Sequence, residues 1–72
     1  MPLAQIRGVS GYLTPKQKNE LIEKVTDAIV SVEGEGLRPV TWVLIDDVPE
    51  GQWGIGGKPV SAQDVRSLTS GQ

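Results

Sequence analysis

The 72-residue sequence contains no cysteine, no histidine and no phenylalanine. Disulfide stapling is thereby excluded, and a zinc site would lack both of its usual ligands. Only three aromatic side chains are present, Tyr12, Trp42 and Trp53, too few for the stacking platforms of single-strand nucleic acid binders. An excess of positive charge is missing as well. Seven Lys and Arg stand against nine Asp and Glu, a formal net charge of -2, and the basic residues are scattered, so nothing resembles the electrostatic footprint of a DNA or RNA binder. No apolar run approaches the ~20 residues of a membrane span, and no basic stretch followed by an apolar core opens the chain. The expectation is a cytoplasmic protein whose partners include neither nucleic acid nor membrane.

At 7.7 kDa the chain forms one domain over residues 1–72. A chain this short buries only roughly 60% of the surface its unfolded form exposes, so its core is marginal without a disulfide, a metal or partner subunits. With the first two disfavoured by composition, oligomerisation is the expected support.

The alternating run Leu3–Val9 reads as a first strand, stopped by Gly8, Ser10 and Gly11. Thr14-Pro15-Lys16-Gln17 then combines a capping hydroxyl, proline at the first helical position and glutamine three residues after the cap. Leu21, Ile22, Val25, Ala28, Ile29 and Val32 follow at helical spacing, and Gly34 and Gly36 end the helix near Glu33. Val40–Ile45 is β-branched, aromatic and almost continuously apolar, which predicts a second strand covered on both faces. Asp46–Gly51 is expected to lead out into a polar turn.

Strand, helix and strand joined by short loops make a βαβ unit with parallel strands and a right-handed crossover. Two strands and one helix cannot close a core, so the sheet must continue across a subunit boundary. The glycine-dense stretch Gln52–Val60 predicts a tight hairpin. Ser61 to Val65 holds at most a helical turn, and residues 65–72 read as a flexible tail. The fold class is therefore α/β (α+β), a single βαβ unit plus a short C-terminal β-hairpin, with the sheet completed by oligomerisation.

The glycine cluster is not a phosphate loop. Walker A needs glycine six residues before Lys58, where Gln52 stands, and Ser or Thr after it, where Pro59 stands. The dinucleotide fingerprint also fails, since Pro59 occupies the final glycine position. Asp46 and Asp47 are adjacent on a strand and point to opposite faces, which argues against a paired acid/base role. Proton chemistry falls instead to Pro2. Removal of Met1 would expose a secondary amine, and a low-dielectric pocket or neighbouring cations would lower its pKa toward neutrality. With Met1 attached, the same nitrogen is an amide without useful basicity.

The opening Pro2-Leu3-Ala4-Gln5-Ile6, the Gly11 turn, the Gln17-Lys18 start of the helix and above all Gly51-Gln52-Trp53-Gly54-Ile55-Gly56-Gly57 resemble the 4-oxalocrotonate tautomerase family of the tautomerase superfamily, over about residues 2 to 58. The resemblance implies that Pro2 is the general base and acid acting on an enol or dienol of a 2-oxo acid. It implies that Trp53 keeps the pocket dry and that Val9 and Ile55 form apolar walls. It also implies a trimer of dimers, a homo-hexamer whose four-stranded sheets form across each dimer. No cofactor or metal is expected.

The sequence departs from the family at two positions. Members that isomerise dicarboxylates carry one arginine after the first glycine turn and another in the second strand. Here Tyr12 follows Gly11, and Trp42 falls at the second position. Loss of two charge-assisted carboxylate contacts, each worth roughly 1.5–3 kcal/mol, predicts an altered substrate range. Arg38 and Arg7 are the nearby candidates to substitute, with Lys58 the last choice, and Tyr12 is a candidate donor to a carbonyl or enolate oxygen. Substrates with one carboxylate, or an aromatic enol stacked on Trp42 or Trp53, are favoured. The competing reading, motivated by Tyr12 and Trp42, is a non-catalytic or complementary subunit of a hetero-oligomer. A hydratase or dehalogenase reading lacks a group to activate water.

Overall fold

The computed structural model describes residues 1–70. Strand β1 spans Leu3–Val9, helix α1 Pro15–Glu33 and strand β2 Trp42–Val48, with a short 3-10 helix at Glu35–Val40 leading into β2. Strands β3 (Gly54–Ile55) and β4 (Lys58–Pro59) follow, and helix α2 spans Ala62–Ser70. The strands β1 and β2 pair in parallel, from Leu3 opposite Trp42 to Val9 opposite Val48. The expected βαβ unit is thus present.

Helix α1 begins as its sequence dictates. The Thr14 hydroxyl accepts from the Gln17 amide at 3.1 Å, and the Gln17 side chain returns the bond to the Thr14 amide at 2.9 Å. Two of the unpaired donors at the helix start are satisfied in this way. The stripe that meets the sheet is rotated from the one read in the sequence. Val30, outside that stripe, is buried, whereas Val32 in the last turn is 86% exposed.

Strand β2 differs from expectation at both ends. Val40 belongs to the 3-10 helix, where the Thr41 hydroxyl donates to the Leu37 carbonyl at 2.8 Å and its amide to the Arg38 carbonyl. Asp46 and Asp47, read as the exit turn, instead lie within the strand. Each carboxylate has a partner there: Asp46 accepts from Gln5 of β1, and Asp47 pairs with Lys18 of α1. Polar residues are tolerated in a strand when neighbouring elements supply their partners.

The Lys18 pair also fixes the orientation of the sheet. Asp47 and its same-face neighbours Ala4, Ile6, Val43 and Ile45 are turned toward α1. The opposite face carries Leu3, Gln5, Arg7, Trp42, Leu44 and Asp46, and its apolar side chains Leu3, Trp42 and Leu44 are exposed. The expectation of cover on both faces therefore fails within one chain.

Strands β3 and β4 form the expected antiparallel hairpin, Gly54 opposite Pro59 and Ile55 opposite Lys58. Its two-residue turn, Gly56-Gly57, has φ of +60° and +83°, the paired positive values a tight hairpin turn requires and glycine supplies without strain. Residues 65–70, read as tail, continue helix α2; residues 71–72 lie outside the described residues.

Among the described residues only Val9, Val30 and Ala62 are buried hydrophobics. The radius of gyration is 14.7 Å, against about 11 Å for a compact chain of this length. A single copy thus leaves much of its apolar surface open, as its size led one to expect. Among the described residues, no helix is long and apolar enough to cross a membrane.

Candidate active site

Most of the residues singled out in the sequence gather at two separate places, with Arg38 and Lys58 at neither. Pro2 sits at the start of β1, partly buried, and its carbonyl accepts from the Trp42 amide at 2.9 Å. That bond extends the β1–β2 ladder by one step, and Trp42, 51% exposed, stands opposite Leu3 on the open sheet face.

Arg7, Val9, Tyr12, Trp53 and Ile55 lie elsewhere. Together with Gly8, Val60, Val65 and Leu68 they line a cavity of about 250 Å³ beyond the C-terminal end of β1. Seven strand steps at about 3.3 Å separate Pro2 from Val9, roughly 23 Å along the strand. Direct proton transfer needs heavy atoms within about 3 Å. Pro2 and this cavity therefore do not form one site inside a single protomer.

The cavity walls follow from local structure. Val9, 5% exposed, closes the end of β1. Tyr12 leaves the turn after Gly11 and lays its phenol against Gly8; a Cβ on that glycine would stand 2.9 Å from the Tyr12 hydroxyl. The absence of a side chain at Gly8 is what admits the ring. Trp53 enters from the loop before the hairpin, and its carbonyl accepts from the Val60 amide at 2.7 Å, tying the two ends of the hairpin together.

The remaining wall was missed in the sequence. Val65 and Leu68 come from α2, held by a reciprocal cap. The Ser61 amide donates to the Asp64 carboxylate at 3.0 Å, and the Asp64 amide to the Ser61 hydroxyl at 3.2 Å. Ser61-Ala62-Gln63-Asp64 is itself a capping-box pattern, the signal that identifies this helix. Two further bonds seat α2 on the domain. The Ala62 amide donates to Glu50 at 2.7 Å, and Arg66 donates to the Gly11 carbonyl at 3.0 Å.

The two candidate arginines are held very differently. Arg38 is engaged on all sides: Nε and Nη2 donate to the two oxygens of Glu35, and Nη1 donates to Asp27 at 2.7 Å. Its hydrogen bonds to Glu35 and Asp27 hold its pKa above the ordinary guanidinium range, and the Arg38 hydrogen bond lowers the Glu35 carboxyl. Arg38 is spent on joining α1 to the 3-10 helix and lies outside the cavity. Arg7 lines the cavity, with a single distant partner, Asp46, at 3.8 Å. Lys58 sits in the hairpin, away from the cavity lining. A second, shallower depression, bounded by Leu13, Gln17, Glu20, Leu21 and Lys24, lies along α1. There the Glu20 carboxyl is lowered and the Lys24 amine raised by their mutual hydrogen bond.

Comparison with known proteins agrees with this architecture. The family described as tautomerase enzyme matches residues 2–63. The chain is 43% identical over 65 residues to 2-hydroxymuconate tautomerase of Pseudomonas putida, covering 90% of this chain and 97% of that one. It is 45% identical over 65 residues to the 2-hydroxymuconate tautomerase of Comamonas testosteroni, with the same coverage. Among solved structures, one from a study of the 4-oxalocrotonate tautomerase isozymes of Methylibium petroleiphilum superposes with a TM-score of 0.70 at 43% identity, over 89% of this chain and 97% of that one.

Proposed function

The chain belongs to the tautomerase enzyme family, and from that membership we propose that it is a proline-based keto-enol tautomerase acting on 2-oxo acid enols or dienols. The observation that carries the proposal is where the family match begins, at Pro2, in a chain with no histidine or cysteine. After removal of Met1, the Pro2 amine takes the proton of the enol hydroxyl. The oxygen electron pair becomes the carbonyl, and the displaced alkene pair takes the proton back from the prolinium at carbon. The step is redox-neutral and returns the amine to its starting state.

The site is completed by a second copy. Two sheets meeting antiparallel would set the Pro2 end of one chain against the Trp53 end of the other, removing the roughly 23 Å gap within a protomer. The open apolar face of Leu3, Trp42 and Leu44 and the three-residue buried core both support assembly, which we propose to be a homo-hexamer built as a trimer of dimers. Tyr12 and Trp42 in place of the family arginines turn the preference away from the dicarboxylate named in its relatives.

Pro2→Ala tests the mechanism. On protein whose intact mass shows Met1 removed, the variant is expected to lose turnover of 2-hydroxymuconate and phenylenolpyruvate by at least about 100-fold. Full turnover by the variant would show that another group moves the proton.

A further inference from the structure

We propose that Arg7 is the carboxylate anchor of the Tyr12–Trp53 cavity, and that the cavity selects a small monocarboxylate with an apolar or aryl tail. The inference rests on the reading of this cavity as half of the active site, and it assigns a role that the sequence left open between two arginines.

Among the described residues Arg7 is the only charged one lining the cavity, so the cavity offers a bidentate partner for one carboxylate. The rest of the wall is apolar or aromatic apart from the Tyr12 hydroxyl, with Trp53 and Ile55 from the hairpin and Val65 and Leu68 from α2. A second carboxylate would be desolvated there without a partner, a costly burial. One chain by itself contributes a cavity of about 250 Å³.

The existing partner of Arg7 yields readily. Asp46 lies 3.8 Å away, and the two side chains are 67% and 46% exposed, a geometry in which ion pairs contribute little. Asp46 moreover accepts a closer bond from Gln5, which keeps that carboxylate satisfied when Arg7 turns to a ligand. Arg38 has no such freedom, since its donors are committed to Glu35 and Asp27.

Equilibrium binding separates this role from a structural one. Tryptophan fluorescence follows titration with 3-phenylpropanoate, an unreactive aryl monocarboxylate, and with hexanedioate, a dicarboxylate. The first is expected to bind at least about tenfold more tightly. Arg7→Ala weakens it by about tenfold or more, Arg7→Lys by less, and Asp46→Asn tightens it by removing a competitor. A purely structural Arg7–Asp46 pair would make the two single-site losses act in the same direction. Unchanged binding in Arg7→Ala, or weaker binding in Asp46→Asn, overturns the proposal. So does tighter binding of hexanedioate. If wild-type protein binds through Arg7 yet turns over no enol, the tautomerase reading fails while the anchor stands; if it turns over enols with Arg7 indifferent, the anchor alone fails.

Discussion

The hydroxyl of Tyr12 rests over Gly8, so closely that a methyl group on the glycine would meet it at 2.9 Å and the ring edge at 3.3 Å. This contact links the strand that carries Arg7 and Val9 to the turn that follows it. The first prediction follows from it.

Gly8→Ala is expected to push the Tyr12 ring out of place with little loss of stability. Gly8 is free of positive φ, and the obstructing atoms belong to a side chain that can swing away. A thermal midpoint within a few degrees of wild type, together with several-fold weaker binding of 3-phenylpropanoate, is the expected pair of results. In a double-mutant cycle Gly8→Ala and Tyr12→Phe should be non-additive, as contacting residues are.

Subunit mixing tests the division of the site between chains. Pro2→Ala and Trp53→Ala, each of low activity alone, are co-refolded in equal amounts. If Pro2 of one copy works with Trp53 of another, random assortment yields roughly a quarter of sites with both residues intact, and activity returns to about that fraction. A site contained in one chain would give no recovery.

Helix α2 depends on its cap. Ser61→Ala removes the hydroxyl that accepts from Asp64, and loss of such a cap costs about 1 kcal/mol. In a domain of this size that lowers the thermal midpoint by roughly 4–8 °C. Because α2 supplies Val65 and Leu68 to the cavity, ligand affinity should fall with it, which circular dichroism melts and the fluorescence titration measure together.

The Glu35–Arg38 pair gives the acid limb of stability a definite sign. The Glu35 carboxyl is lowered from its ordinary value of 4.5 by its hydrogen bond to Arg38. A lowered carboxyl stabilises the fold at pH above that ordinary value, and the contribution is lost as the pH falls through the lower folded value. The gap in thermal midpoint between wild type and Glu35→Gln should therefore be small but positive at pH 7 and should close in strong acid. The pair is exposed to solvent, so added salt should narrow the gap at neutral pH as well.

Much of the fold was legible because it rests on local chemistry. Thr14, Pro15 and Gln17 specify where α1 begins whatever surrounds them, and Gly56-Gly57 specifies the hairpin turn. Where a neighbour decided the outcome, the sequence misled. Asp46 and Asp47 looked like a turn, because their partners, Gln5 and Arg7 on β1 and Lys18 on α1, are distant in the chain. Ser61 and Asp64 carried a readable cap, yet the short polar segment after them looked like a tail until Glu50 and Arg66 were seen to anchor it.

Composition and local pattern by themselves determined the βαβ unit and the hairpin, and the resemblance over about residues 2 to 58 pointed to the family to which the chain belongs. They also singled out Pro2, Tyr12, Trp42 and Trp53 as candidate site residues. Only the tertiary structure decided how those residues are distributed: Pro2 with Trp42 at one end of β1, Tyr12 with Trp53 at the other. It likewise separated Arg38, neutralised by Asp27 and Glu35, from Arg7, facing the cavity with a weak partner. Capping and turn formation act over three or four residues and are written in the sequence. The freedom of a guanidinium depends on which carboxylates the fold brings within about 4 Å of it, and that is settled only when helices and strands have packed.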